Sequence, residues 1–235
     1  IIALTIWIFF YNFRRPENKV DDGDLNISAS FKKLINMPRY YWGVVAQFFY
    51  VGLQITVWTW TVKYAMTVFG EGLNEAEAAR YYLYAIILFI ACRWVCTALM
   101  RKFNPAVMLS IFAVAGIVAC LGTIYLPANI SIWSLIAISG CMSLMFPTIY
   151  GISLYGMGEE VKLGAAGLIM AILGGAVITP IMGMFIDNGW LNGLVSSTYS
   201  FNEASVRSSF YVAIICFLVV LAYGLYIKQS NKTKE

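Results

Sequence analysis

Apolar residues in this chain come in long blocks separated by short polar connections. Six blocks, at 40–68, 81–100, 106–126, 130–157, 163–187 and 208–228, are each about as long as the ~20 residues an α-helix needs to cross a bilayer. The third and sixth blocks are almost purely apolar, while the first, fourth and fifth carry polar residues or glycines at helical spacing. A shorter block, Ile1–Phe13, ends at Arg14 and Arg15. It is too short to span and reads as the last part of a membrane helix that begins before Ile1. Residues 14–39 form a polar linker in which Ile27, Phe31, Leu34 and Ile35 share one helical face beside Lys32 and Lys33. That pattern predicts an amphipathic helix lying on an anionic leaflet, with Pro38 opening the next helix. Residues 229–235 form a polar tail.

Composition turns these blocks into a fold class. Hydrophobic residues make up 60% of the 235 positions and charged residues 12%. Ordinary soluble domains hold roughly 45–50% apolar and about 25% charged residues, and a chain this size could not hide the excess from water. In lipid every backbone polar group must be bonded internally, and helices do this within one segment. The expectation is an all-α membrane protein.

Charge sets its orientation. Alternate connections hold Arg14, Arg15, Lys19, Lys32, Lys33 and Arg39, then Arg101 and Lys102, then Lys162, then Lys228, Lys232 and Lys234. The other connections hold only Arg80 and Arg207. Positive residues stay on the cytoplasmic side, so both chain ends are expected in the cytoplasm. The alternation also supports the number of spans, since a missed helix would scramble it. The connection at 71–80 is acidic and helix-prone, and the one at 188–206 is longer and polar.

What the spans lack excludes several activities. The chain has no histidine, and no Asp or Glu stands in the middle of a span. Its five cysteines, Cys92, Cys96, Cys120, Cys141 and Cys216, all lie in apolar runs and read as small buried hydrophobes. No metal site, cofactor or catalytic cluster is expected, so the chain is not read as an enzyme. The net charge of +4 is too small to suggest nucleic acid.

The first full span holds the strongest candidate site. Gln47, Tyr50, Gln54, Trp58 and Thr61 fall within an arc of about 80° on a helix. Amides, an indole and hydroxyls facing lipid would be costly, so this stripe must face protein or water. Amides hydrogen-bond hydroxyl groups and aromatic rings pack on the apolar face of a pyranose, so a sugar-like ligand fits. Interhelical hydrogen bonds, worth about 0.6–2 kcal/mol each, would use the same side chains. Lys63 lies on the far side of the helix near its end and is expected to snorkel.

Other positions suggest gating. Pro147 bends the fourth span, where Met142, Phe146 and Tyr150 share a face. The fifth span carries Gly164, Gly167, Gly174, Gly175 and Gly183 with Thr179 and Pro180, a pattern that lets helices approach and rock. Asp187 near its end reads as interfacial. Arg93 lies inside the second span and needs a partner or a route to the interface. With Arg101 and Lys102 it forms a short basic connection suited to a gate or clamp at the inner face.

Four stretches resemble a known family: AQFFYVGLQ at 46–54, RWVCTALMRKFNP at 93–105, FPTIYGISL at 146–154 and GGAVITPIMGMFID at 174–187. Together they resemble the C-terminal half of a major facilitator superfamily transporter of the fucose and glucose/galactose permease group. The resemblance implies helices seven to twelve of a twelve-helix fold built from two halves. It further implies that Gln47, Tyr50, Gln54, Trp58, Phe146 and Tyr150 touch substrate. Arg93, Arg101, Pro147, Gly174, Gly175 and Pro180 would serve conformational change. The expected function is monosaccharide transport with proton symport, the partners being sugar, protons, the lipid bilayer and an N-terminal half that holds the coupling acids. A major facilitator transporter of a drug-like solute or organic anion is the alternative, although no cationic residue lies on the polar stripe. Two positions differ from the family pattern: Cys92 replaces a common glycine, and Phe146 stands where fucose permeases often carry tyrosine.

Overall fold

A computed structural model describes residues 32–100, 102–158, 160–195 and 199–232. The expected helix end at 1–13, most of the linker including Ile27 and Phe31, and Arg101 lie outside the described residues. The helices are α1 (Pro38–Phe69), α2 (Glu75–Leu99), α3 (Pro105–Tyr125), α4 (Ala128–Met142), α5 (Met145–Leu154), α6 (Val161–Met170), α7 (Leu173–Asn188), α8 (Phe201–Ser208) and α9 (Phe210–Lys232).

Local chemistry marks the helix ends. Asn74 and Glu77 form a capping box that starts α2, the Glu77 amide donating to Asn74 Oδ1 at 2.9 Å and the Asn74 amide to Glu77 Oε2 at 3.2 Å. Asn104 accepts from the Ala106 amide at 2.9 Å, and Pro105 opens α3 where its missing N–H costs nothing. Gly189 stops α7 at φ 63°, in the left-handed region that favours glycine.

Two of the expected continuous spans are interrupted. Helix breaks at Ser143–Leu144 separate α4 from α5, because Pro147 has no N–H and its ring crowds the carbonyl four residues back, at Ser143. The break between α6 and α7 at Ala171–Ile172 has no proline at the matching position. There Ile172, Gly174 and Gly175 donate to carbonyls three residues back, the tighter pattern of a 3₁₀ turn.

Five stretches are long and apolar enough to cross a membrane by length and composition: Glu75–Leu99, Pro105–Tyr125, Ala128–Leu154, Val161–Asn188 and Phe201–Ser230. Helix α1, at 32 residues, is not among them. Its position explains its polarity. It packs against α2 and α4 to α9, and reaches α3 through the Tyr64 hydroxyl, which donates to the Thr123 carbonyl at 2.6 Å. Surrounded by protein, it can carry glutamines and threonines that a lipid-facing helix could not. Around it Tyr50, Leu53, Val57, Tyr64, Phe210 and Phe217 form the fully buried centre.

Both ends of the bundle are fastened. At the end holding Arg80, Arg207 is fully buried, and Nε donates to Glu203 at 2.9 Å. Its Nη1 donates to the carbonyls of Thr123, Ile124 and Leu126 at 3.2, 3.4 and 2.9 Å, which closes the C-terminus of α3. At the basic end, Lys33 pairs with Glu160. Leu34 is buried against Tyr40, Met157 and Leu168. This differs from the leaflet-bound helix expected for the linker: the Leu34 side chain is covered by protein, while Ile35 stays exposed. Lys63 sits over the Trp60 ring at 4.9 Å and 4.0 Å from Asp187, both groups being exposed.

Candidate substrate site

The polar face of α1 meets α2, α4 and α5. Tyr50 is fully buried, and its hydroxyl donates to Gln54 Oε1 at 3.0 Å. That bond consumes one acceptor of the Gln54 amide and leaves its N–H₂ free to donate. The Tyr50 ring meets Phe146 edge-on at 6.2 Å, and Phe146 stacks on Tyr150 at 6.2 Å and 11°. Gln54, Phe146 and Tyr150 are each half-buried. Pro147 places this pair, since the break it causes sets the direction of the short helix α5.

Trp58 extends the site toward α2 and α4. Its indole N–H donates to Ser139 Oγ at 3.2 Å. Its ring meets Phe89 edge-on at 5.2 Å and Tyr82 at 6.5 Å. Arg93 lies over the Phe89 ring of this cluster, its guanidinium 5.8 Å from the ring centroid. The arginine expected at a gate therefore touches the same aromatic group as Trp58.

Gln47 is the unusual member. It is fully buried, and among the described residues neither its amide oxygen nor its nitrogen has a hydrogen-bond partner. An unmet buried amide costs about 1–3 kcal/mol per group, so a partner that arrives later would be bound with that much to gain. Thr61, the last member of the stripe, bonds its own helix at the Val57 carbonyl (2.7 Å) and is thereby satisfied.

Of the residues assigned to movement, Gly174, Gly175 and Pro180 lie on α7, which packs on another side of α1, whereas Arg93 and Pro147 lie beside the polar stripe. Gly174 and Gly175 of α7 are buried against α1, with Phe48 and Ile55 directly over them. Thr56 and Thr179 share a hydrogen bond of 2.9 Å across the same contact. Pro180 is exposed within α7. The backbones come close enough here that α1 and α7 form one tightly packed pair.

Phe89, Tyr82 and Ser139 were not singled out in the sequence. Tyr82, Phe89 and Arg93 fall within about 40° on α2, a stripe that could have been read. Ser139 had no such signal, because it is defined only by its neighbour Trp58. Among the described residues no group of three His, Cys, Asp or Glu side chains could hold a metal ion.

No protein-family model matches the chain. It is 39% identical to the L-fucose-proton symporter of Haemophilus influenzae over 224 residues, covering 95% of this chain and 50% of that protein. It is 25% identical to the L-fucose-proton symporter of Escherichia coli, covering 98% and 49%. Against the glucose/galactose transporter of Brucella abortus it is 28% identical, covering 97% and 52%. The chain spans about half the length of the relatives it matches. Among solved structures it superposes on FucP, a major facilitator superfamily transporter in the outward conformation, with a TM-score of 0.75 and 26% identity, covering 85% of this chain and 44% of that one. A structure of the Escherichia coli fucose:proton symporter matches with a TM-score of 0.77 and 25% identity, covering 96% and 52%. These relatives are transporters, not enzymes. The chain thus has the all-helical fold of one half of a major facilitator superfamily transporter, and its resemblance to the fucose and glucose/galactose permease group extends over nearly all of its length.

Proposed function

We propose that this chain forms the C-terminal half of a transporter that carries a monosaccharide of the L-fucose, galactose or glucose class by alternating access, together with protons. The observation that carries the reading is the side-chain group on α1 and α5. Gln54 offers a free amide donor, Gln47 an unpaired buried amide, and Trp58, Phe146 and Tyr150 offer ring faces beside them. A pyranose presents hydroxyls around its rim and C–H groups on its face, and each finds its partner in this set. The names of the relatives, fucose-proton symporter and glucose/galactose transporter, support the same class.

Alternating access gives the buried amide of Gln47 its use. When the halves rock as rigid bodies, a sugar hydroxyl entering between them can reach an amide that has no partner among the described residues. The spans hold no central carboxylate, so the proton carrier belongs to the N-terminal half. The twelve Lys and Arg in alternate connections, against two in the others, support chain ends on the cytoplasmic side, and the bacterial sources of the relatives support an inner-membrane location. Arg93, Pro147, Gly174, Gly175 and Pro180 serve the conformational change; Arg101 is placed with them by its position in the basic connection.

Uptake of labelled L-fucose, galactose and glucose by the chain joined to its N-terminal half, in a host lacking its own permeases, tests the reading. Accumulation that collapses when the proton gradient is discharged is expected. Failure to take up any of the three hexoses, or uptake indifferent to the gradient, refutes it. In the same system Gln54→Ala should lower sugar affinity roughly 5- to 10-fold at unchanged expression, the loss of one hydrogen bond; unchanged affinity would remove Gln54 from the site.

A further inference from the structure

A cavity lies away from the residues proposed to touch sugar, at the basic end of the bundle. Its volume is about 570 Å³, and Arg39, Asn104, Thr148, Gly151, Tyr155 and Ile227 are among the residues that line it. It is bounded by the first turn of α1, Met100 just after α2, the N-terminus of α3, one side of α5 and the end of α9.

Three observations point to an anion. Arg39 lines the cavity, and its Nε is buried without a hydrogen-bond partner. Among the described residues its guanidinium makes no ion pair and no hydrogen bond; it has only the ring of Tyr155, 5.4 Å away. A buried guanidinium N–H without an acceptor is costly, and a phosphate oxygen is the acceptor its geometry suits best. The N-terminus of α3, a helix of 21 residues, opens into the same space through Asn104, Pro105 and Ala106, with its positive dipole end. Among the described residues no Asp or Glu lines the cavity.

The surroundings point to the source of that anion. The remaining walls are apolar, formed by Met100, Pro147, Ile152 and Ile227. Tyr155, 76% exposed, also lines the cavity, within reach of the surface. The carbonyl of Arg39 accepts a hydrogen bond from Tyr223 at 3.4 Å, and Tyr223 lines a second, almost wholly apolar cavity of about 380 Å³ with Trp42, Val219, Ala222 and Tyr226. Tyr223 thus links an apolar groove edged by tryptophan and tyrosine, which it lines, to the backbone of Arg39, which lines the cationic chamber. Basic chambers between membrane helices bind phospholipid headgroups, and aromatic side chains mark the headgroup level.

We infer that the Arg39 cavity binds the phosphate of an anionic phospholipid, with an acyl chain lying against the Trp42–Tyr226 groove. The site uses none of the residues proposed to touch sugar.

The test uses delipidated, full-length protein containing this chain, with phosphatidylglycerol, phosphatidylcholine or inorganic phosphate added in parallel. Thermal unfolding and native mass spectrometry are the readouts. Phosphatidylglycerol should raise Tm at least roughly twofold more than phosphatidylcholine, because binding to the folded state alone stabilises it. It should also remain bound in the mass spectrum. Arg39→Gln, which keeps the polar stem and removes the charge, should abolish the preference. Gly151→Leu provides a second variant, since a Cβ at Gly151 meets nothing within 4 Å and Gly151 lines the cavity that the longer side chain would occupy. It should fold normally and lose the bound lipid. Equal stabilisation by both lipids, or full preference retained in both variants, overturns the inference. A response to inorganic phosphate equal to that of phosphatidylglycerol would assign the cavity to a free anion and overturn the lipid as its source.

Discussion

Replacing Gly174 by alanine sets a methyl group against the backbone of α1. The added Cβ would lie 1.9 Å from the Phe48 carbonyl oxygen and 2.8 Å from its carbon, where ordinary contact begins at 3.4 Å. A backbone carbonyl held in a helix cannot swing aside as a side chain does, so α1 and α7 must separate by roughly 1.5 Å. Overpacking of this kind costs about 1–3 kcal/mol. The substitution also removes a helical glycine, which by itself favours the folded state by about 1 kcal/mol. Two other glycines calibrate the effect. At Gly183 the new Cβ would meet Trp60 Cζ2 at 3.1 Å, a side chain that can give by a few tenths of an ångström. At Gly151 it would meet nothing within 4 Å. Thermal unfolding in detergent, followed by tryptophan fluorescence, should therefore rank Gly151→Ala above wild type, Gly183→Ala near it, and Gly174→Ala lowest, below wild type by up to about 2 kcal/mol after the helical gain is subtracted. Uptake should fall in Gly174→Ala alone, because the same contact must hold while the halves rock. If Gly174→Ala proves as stable as Gly151→Ala, the close α1–α7 approach is not a feature of the folded protein and the argument fails.

Other substitutions test the site and its supports. Tyr50→Phe keeps the ring contact with Phe146 but removes the hydroxyl that holds Gln54, and sugar affinity should drop about fivefold, or about 1 kcal/mol, with unchanged stability; an unaltered binding isotherm would show that Gln54 needs no such support. Arg207→Met leaves Glu203 and three carbonyls of α3 without their donor, and should cost about 3–5 kcal/mol in unfolding free energy, with Arg207→Lys recovering only part because an ammonium cannot reach all four acceptors. A loss below 1 kcal/mol in Arg207→Met would contradict that role. The hydrogen bond from Lys33 holds the Glu160 carboxyl below the usual carboxylate range. A depressed folded value means that this contact stabilises the docked linker above the ordinary carboxylate pKa and is lost as pH falls through the lowered one. Limited proteolysis around residues 32–37 should therefore speed up as the medium is acidified, and Glu160→Gln should flatten that dependence; an equally steep profile in Glu160→Gln would place the titrating group elsewhere.

The helical membrane class was legible in the sequence because the bilayer imposes a length and a composition that few other solvents do. The polar stripe of α1 was legible for a related reason. Gln47, Gln54 and Trp58 recur at helical spacing, and their cost in lipid requires that they face protein or water. Pro147 likewise announced its own break. Less could be read where a residue takes its meaning from a distant neighbour. Ser139 has no pattern of its own and enters the site only because α4 brings it to the Trp58 indole. Arg93 was placed at a gate by its charge and depth, and the fold sets it against Phe89, beside the tryptophan. Arg207 looked like one of two stray positive charges and became the buried cap of α3. Leu34 was set on a lipid surface by its periodicity and is covered by Tyr40, Met157 and Leu168. Periodicity records which face of a helix avoids one solvent, and that is a local property of the chain. Which helix then covers the face, and whether a lone arginine finds carbonyls or water, depends on contacts between residues far apart in sequence, and those exist only once the bundle is packed.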